Sequence, residues 1–189
     1  MTYLDLPFIN KVKKNQKEFG NKVIEIAAAL NTDPRFLMVV MNNESGLDST
    51  AKNPNSSATG LIQFMEPTAK ELGTTTADLR TMENVKQLDY VYKYLKVYKN
   101  KLVSAADVYL AIFFPLALYK SDTWEFPTWV VKANKIFDTN KDAKLSVQEF
   151  KDYVNKKYSK YLTPQSNNNL PLIGILFIAT TFFLYKYLK

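Results

Sequence analysis

Asp33-Pro34-Arg35-Phe36-Leu37-Met38-Val39-Val40-Met41-Asn42-Asn43-Glu44-Ser45-Gly46-Leu47 is the stretch that decides the fold. Asp33 is placed to cap a helix whose first residue is Pro34, a ring already set to the helical φ. From Phe36 to Met41 the residues are apolar on every side, so a helix from Pro34 to about Glu44 should be central and buried. Glu44 closes that run. Burial there disfavours its ionised form and raises its proton affinity, and a carboxyl held protonated near neutral pH is what a general acid for glycoside cleavage needs. Position alone also fits a solvated charge at a helix end.

Outward from this helix the pattern stays helical. Phe19, Val23, Ile26, Ala27 and Leu30 recur at helical spacing before Asn31-Thr32-Asp33-Pro34 interrupts them. Ser45 to Thr59 is polar and turn-rich, with a loop at Asn53-Pro54-Asn55-Ser56-Ser57. A helix is expected after Met65-Glu66-Pro67, and Val85 to Leu102 carries a stripe of Leu88, Tyr92, Leu95 and Tyr98. Ser104 should cap a further apolar helix, Ala105 to Phe114, which Pro115 is placed to kink or end. No strand alternation of useful length and no internal repeat is present. The expected class is mainly α.

The composition narrows the chemistry. The chain has 189 residues, 47% of them hydrophobic, with no cysteine and no histidine, so one ordinary domain with appendages is expected. Disulfides, thiolate or imidazole metal sites and every Ser-His-Asp arrangement are excluded. The net charge of +7 is uneven. Residues 1–150 hold 19 Lys and Arg against 17 Asp and Glu, whereas residues 151–189 hold 6 against 1. With Arg35 and Arg80 the only arginines, the surplus is lysine, which suits phosphate or membrane-surface attraction better than bidentate base reading; no nucleic-acid partner is expected.

From Pro127 the character changes. A short helix ending at Phe137 should lead into Asp138-Thr139-Asn140-Lys141-Asp142-Ala143-Lys144-Leu145-Ser146-Val147-Gln148-Glu149, with another helix leaving it to about Tyr161. Asp138, Asn140, Asp142, Lys144, Ser146 and Glu149 fall at positions 1, 3, 5, 7, 9 and 12 of a loop that resembles an EF-hand, with Leu145 at its apolar position. Alternating oxygen donors and a final glutamate suit Ca²⁺, Lys144 offering only its carbonyl. The expected ion is structural. Ala143 stands where the pattern wants glycine, and a left-handed φ costs alanine about 1 kcal/mol.

The spacer 163–169 is polar, and Leu170 to Tyr185 is a run of 16 uncharged, mostly apolar residues. As a helix it would span about 24 Å, a little short of the hydrocarbon core, with Tyr185, Lys186, Tyr187 and Lys189 able to sit at the interface. A transmembrane anchor over 170–188 is therefore expected, with a lipid membrane as partner. The start, Met1 to Pro7, has an acid where a secretory signal wants positive charge. The lysines before the apolar run outnumber those after it, which would leave the body on the cytoplasmic face.

The string Asp33 to Leu47, followed by Ala58-Thr59-Gly60-Leu61-Ile62-Gln63-Phe64-Met65, resembles the lytic transglycosylases over roughly residues 20–120. Glu44-Ser45-Gly46 matches the family's Glu-Ser-Gly step, and Gly60-Leu61-Ile62-Gln63 its Gly-Leu-Met-Gln step. Met65-Glu66-Pro67-Thr68-Ala69 matches its Met-Pro-x-Thr-Ala start with Glu66 inserted. The resemblance implies a lysozyme-like helical domain over 1–126, with the EF-hand-like pair 127–162 packed on it. It implies peptidoglycan glycan strands as substrate and cleavage between N-acetylmuramic acid and N-acetylglucosamine. Glu44 would be the acid and then the base, and the muramoyl C6 hydroxyl the nucleophile, giving a 1,6-anhydro product without a second carboxylate or any cofactor. Ser45 would orient Glu44 or bond the sugar, Gly60 would admit substrate to the backbone, and Gln63 would bond it, with Leu61, Ile62 and Phe64 lining the cleft.

In the family's Ala-Tyr-Asn-x-Gly motif the tyrosine and asparagine are replaced here by Phe113 and Phe114, which can pack along a sugar face or fill the core. Tyr109, one turn earlier, could restore the phenol. The alternatives are a hydrolytic goose-type lysozyme, in which an acid such as Asp48 positions water, a non-catalytic wall- or virion-binding protein, and a calcium-dependent membrane adaptor. A body on the cytoplasmic face conflicts with a wall substrate. A place in the membrane of a bacteriophage virion, or in the host cell envelope, would ease the conflict.

Overall fold

The computed structural model describes residues 1–162; the spacer and the apolar run 170–185 lie outside them. The first long helix, α1, is Gln16–Leu30, with Phe19, Val23, Ile26, Ala27 and Leu30 buried along one face. It stops at Asn31, whose left-handed φ of 58° closes the last turn on Ala27 and Ala28.

The central helix α2 is Pro34–Ser45. The Asp33 carboxylate accepts from the Arg35 N–H at 2.8 Å, Pro34 occupies the first turn, and Gly46 at φ 65° ends it. Leu37 to Met41 are each at most 1% exposed, so α2 has no solvent face over that stretch. It packs against α1 and also against α6 (Ala105–Phe113) and α8 (Val147–Leu162). Between them lie α3 (Glu66–Glu71), α4 (Thr76–Thr81), α5 (Asn84–Leu95) and α7 (Thr128–Ala133). Among the described residues β structure is limited to isolated bridges, Lys52–Thr59, Thr59–Phe64 and Glu125–Ser146. Among them, too, no helix is long and apolar enough to cross a membrane.

Two boundaries differ from the sequence reading. The Tyr stripe does not continue to Leu102, because α5 tightens into a 3-10 turn at Lys96–Tyr98 and the chain reverses at Asn100, φ 69°. Lys99-Asn100-Lys101 offers no apolar side chain to the core, and Asn31 Nδ2 instead donates to Asn100 Oδ1 at 3.2 Å. The helix expected to end at Phe137 ends at Ala133, where Asn134 folds back to donate to the Val130 carbonyl at 2.9 Å. Helix α4 was not anticipated, although Thr75-x-x-Asp78 is a capping pattern: Thr75 Oγ1 accepts from the Asp78 N–H at 3.1 Å.

One hydrophobic cluster runs from Leu6 to Tyr158 without a break at residue 126. Its seam between α6 and α8 is aromatic. Phe113 stacks on Phe150 with ring centres 5.4 Å apart and planes at 9°, and Tyr109, Phe126 and Phe137 meet the same two rings edge-on or tilted. Offset and edge contacts of this kind add to the gain from burial. The seam fixes α8 against the end of α2.

Candidate active site

Glu44 sits in the last turn of α2, half-buried beneath α6 and α8. Burial pushes its proton affinity up, while the Asn43 amide and Tyr109 phenol favour the anion and act in the opposite direction. The net shift is upward, because desolvation of the anion outweighs the two hydrogen-bonding neighbours. Tyr109, on α6, is 7% exposed. Its phenol is pushed far above its ordinary proton affinity, first by burial and then by the neighbouring Glu44 charge, so it stays a neutral donor at any working pH.

The rest of this cluster comes from α8. Asn43 Nδ2 donates to the Tyr109 hydroxyl at 2.5 Å, while Asn43 Oδ1 accepts from the Tyr158 hydroxyl at 2.5 Å and from Lys157 Nζ at 3.1 Å. Asn43, Lys157 and Tyr158 were not singled out from sequence. The two α8 residues lie more than a hundred positions from Asn43, and nothing local signals the pairing.

Ser45 does not turn toward Glu44. Its Oγ lies 3.1 Å from the Met41 carbonyl and 3.0 Å from the Leu61 carbonyl, so it ties the end of α2 to the glycine loop. The loop itself is organised by Gln87, a fully buried residue of α5. Its Oε1 accepts from the Leu61 N–H at 2.6 Å, and its Nε2 donates to the Ser49 and Leu79 carbonyls at 2.9 and 2.8 Å. Gly60 has φ +76°, and a Cβ there would stand 2.4 Å from Gln87 Oε1. The absence of a Cβ at Gly60 therefore makes room for the Gln87 amide.

Leu61, Ile62 and Phe64, expected to line the cleft, are 0%, 4% and 2% exposed, so their side chains belong to the core. Gln63, half-buried at φ 54°, donates from Nε2 to the Gly60 carbonyl at 3.1 Å, within its own turn. Phe113 and Phe114 are both half-buried among other aromatic rings. Phe113 lies in the α6–α8 seam, and Phe114 packs against Trp124, Phe126 and Trp129. Without a hydroxyl or amide at these positions, both rings pack part of their surface against the hydrophobic core.

Asp48 is also committed. Its carboxylate accepts from the Thr50 N–H and hydroxyl at 2.8 and 2.7 Å and pairs with Lys13 at 3.2 Å. The Thr50 hydrogen bonds come first in holding it below the usual carboxylate range, in spite of partial burial. It borders a pocket of about 360 Å³ that also takes in Lys13, Lys14, Arg80 and Glu83 and does not include Glu44.

A family model described as Transglycosylase SLT domain matches residues 11–120, more than half of the chain. The chain belongs to the SLT transglycosylases. A comparison with curated proteins finds no match. Membership makes this SLT transglycosylase an enzyme that cleaves glycosidic bonds of peptidoglycan, and its helical architecture is consistent with the lysozyme-like fold of the family.

Beyond the matched span, the loop 138–149 of this SLT transglycosylase is closed by its own side chains. Asp138 accepts from the Asp142 and Ala143 N–H groups at 3.2 and 3.0 Å, and Asp142 from the Lys144 N–H at 2.8 Å. Asn140 donates to Glu149 Oε1 at 2.9 Å, and Glu149 Oε2 accepts from the Ser146 N–H and hydroxyl at 2.8 and 3.0 Å. Ala143 has φ 65°, in the left-handed region expected for that position, and Leu145 is fully buried. Among the described residues no three acidic side chains converge as a metal cage. The carboxylates thus serve loop amides.

Proposed function

We propose that Glu44 is the general acid and base of a lytic transglycosylase that cuts the β-1,4 bond between N-acetylmuramic acid and N-acetylglucosamine. The observation that carries this reading is that Glu44 has raised proton affinity and Tyr109 as a neutral neighbour, with no acidic side chain among the charges that shift it. Protonated Glu44 gives its proton to the glycosidic oxygen as the C1–O bond breaks. The resulting carboxylate takes the proton of the muramoyl C6 hydroxyl as that oxygen bonds to C1. No water is consumed, and Glu44 ends protonated for the next cycle. A hydrolase of the usual kind would need a second carboxylate to aim water, and Asp48 is held by Thr50 and Lys13.

The full chain, in detergent, digesting purified peptidoglycan is expected to release muropeptides lighter by one water than reducing muropeptides in a mass spectrum. Reducing-end products would make it a hydrolase.

The setting belongs to the same proposal: the apolar run 170–185 anchors the enzyme in a membrane, and cell-wall penetration or lysis by a bacteriophage supplies the need for it. Flotation with lipid vesicles checks the anchor, and recovery of the native protein from purified virions checks the origin.

Ca²⁺ is proposed as a structural ligand of the loop 138–149, on the donor set of Asp138, Asn140, Asp142, Ser146, Glu149 and the Lys144 carbonyl. Millimolar Ca²⁺ should raise Tm, and Ala143→Gly, which removes a left-handed penalty of about 1 kcal/mol, should enlarge the rise. An unchanged Tm in both proteins would leave the loop a polar turn.

A further inference from the structure

We infer that Lys157 and Tyr158 of α8, both beyond the residues that match the family, are positioning residues for the active site, holding the Asn43 amide so that its N–H groups face Tyr109 and Glu44. The inference rests on the proposed role of Glu44. An asparagine amide can point either way, and the identity of its partners decides which. Lys157 Nζ has only protons to offer, so the atom of Asn43 that meets it at 3.1 Å must be the carbonyl oxygen. The Tyr158 hydroxyl, 2.5 Å from the same oxygen, donates to it as well. With two donors on Oδ1, Nδ2 is turned to the other side, where it meets the Tyr109 hydroxyl at 2.5 Å.

Polarity then propagates. Tyr109 accepts from Asn43 and keeps its own proton for the carboxyl beside it. The anion of Glu44 that forms when the glycosidic oxygen is protonated meets donors from both neighbours. If the amide turned over, a carbonyl oxygen would face that anion. Lys157 reaches this place from an exposed position on α8, with its ammonium also 5.5 and 5.2 Å from the ring centres of Tyr153 and Tyr158. The charged and titratable groups facing the cluster are Tyr109 from α6 and Tyr158 and Lys157 from α8. Lys11 is occupied by Asn42 Oδ1 at 2.8 Å.

The test compares the full chain with Lys157→Met, Tyr158→Phe and the double variant on soluble peptidoglycan fragments, with Glu44→Gln alongside. Lys157 is exposed, so Lys157→Met cannot unfold the protein by emptying the core. Tyr158→Phe keeps the buried ring. The double variant is expected to lose about tenfold in kcat with KM unchanged. The alkaline limb of its kcat/KM profile should move to higher pH, because the Glu44 anion loses oriented donors. Lys157→Arg with Tyr158 intact, which keeps both donors, should leave the limb at its wild-type position. A folded double variant with wild-type kcat and an unmoved limb overturns the inference. If Glu44→Gln is also fully active, the proposed role of Glu44 falls with it; if Glu44→Gln is inactive, only the positioning role falls.

Discussion

Glu44→Gln should lower peptidoglycan cleavage by about a thousandfold, the scale expected for loss of a proton-transferring group, while leaving the protein folded and no less stable at neutral pH. The second half follows from the same burial that tunes the first. Glu44 has a folded-state proton affinity above its ordinary value, with desolvation as the first cause. For such a group the native state binds the proton more tightly than the unfolded chain does. Its contribution is fully present below the unfolded value and is lost as pH rises through the folded one. At neutral pH the wild type therefore carries an ionised carboxyl in a place that disfavours it. Glutamine keeps the shape and can still accept from Tyr109, without the charge. Urea titrations should show the variant at least as stable as wild type at pH 7, with the gap closing as pH falls through the raised folded value of Glu44 toward the ordinary carboxylate range. A variant that retains cleavage would move the chemistry to another residue, and one that is strongly destabilised would show that Glu44 is held for structure.

Gly60→Ala should be the most damaging single substitution in the loop, costing about 4 kcal/mol or more. Alanine at φ +76° carries a left-handed penalty of about 1 kcal/mol, and that is the smaller part. Its methyl would stand 2.4 Å from Gln87 Oε1 and 2.8 Å from Gln87 Cδ. The amide would have to leave the Leu61 N–H and the Ser49 and Leu79 carbonyls unpaired, each buried group adding about 1–3 kcal/mol when orphaned. Thermal unfolding of the full chain should report a Tm lower by about 10 °C. Coupling to Gln87 is part of the expectation: in a double-mutant cycle with Gln87→Ala, the two losses should fall well short of adding. A loss under 1 kcal/mol for Gly60→Ala would mean that the loop gives way without cost.

Much of the fold is legible where the signals are local. Asp33, Pro34 and Gly46 bracket α2 by capping chemistry, and the unbroken apolar run between them announces a helix with no free face. Ser104 marks the start of α6 in the same way, its hydroxyl accepting from the Asp107 N–H. Ala143 is legible through the strain it must accept. The site is less so. A motif names Gly60, Leu61, Ile62 and Gln63, yet it does not say whether backbone or side chain faces the cleft, and here the Leu61 and Ile62 side chains are turned inward. Gln87 and Asn43 are ordinary residues in sequence; each becomes decisive through partners on other helices. Phe113 and Phe114 read as a damaged motif, and the structure gives Phe113 a task in the seam with α8 and packs Phe114 on Trp124, Phe126 and Trp129. Tyr109, one turn earlier, brings a phenol to Glu44 from the same helix.

The seam that joins α6 to α8 also gives the enzyme an internal reporter. Both tryptophans, Trp124 and Trp129, lie beyond the family-matched span and flank Phe114, with ring centres 6.1 and 6.2 Å away. Indole emission therefore follows only this corner of the molecule, whereas far-ultraviolet dichroism sums the helices throughout. With a core continuous from Leu6 to Tyr158, the two signals should trace one denaturation curve. The corner holding the two indoles and the start of α8 should then not loosen without the catalytic half loosening with it.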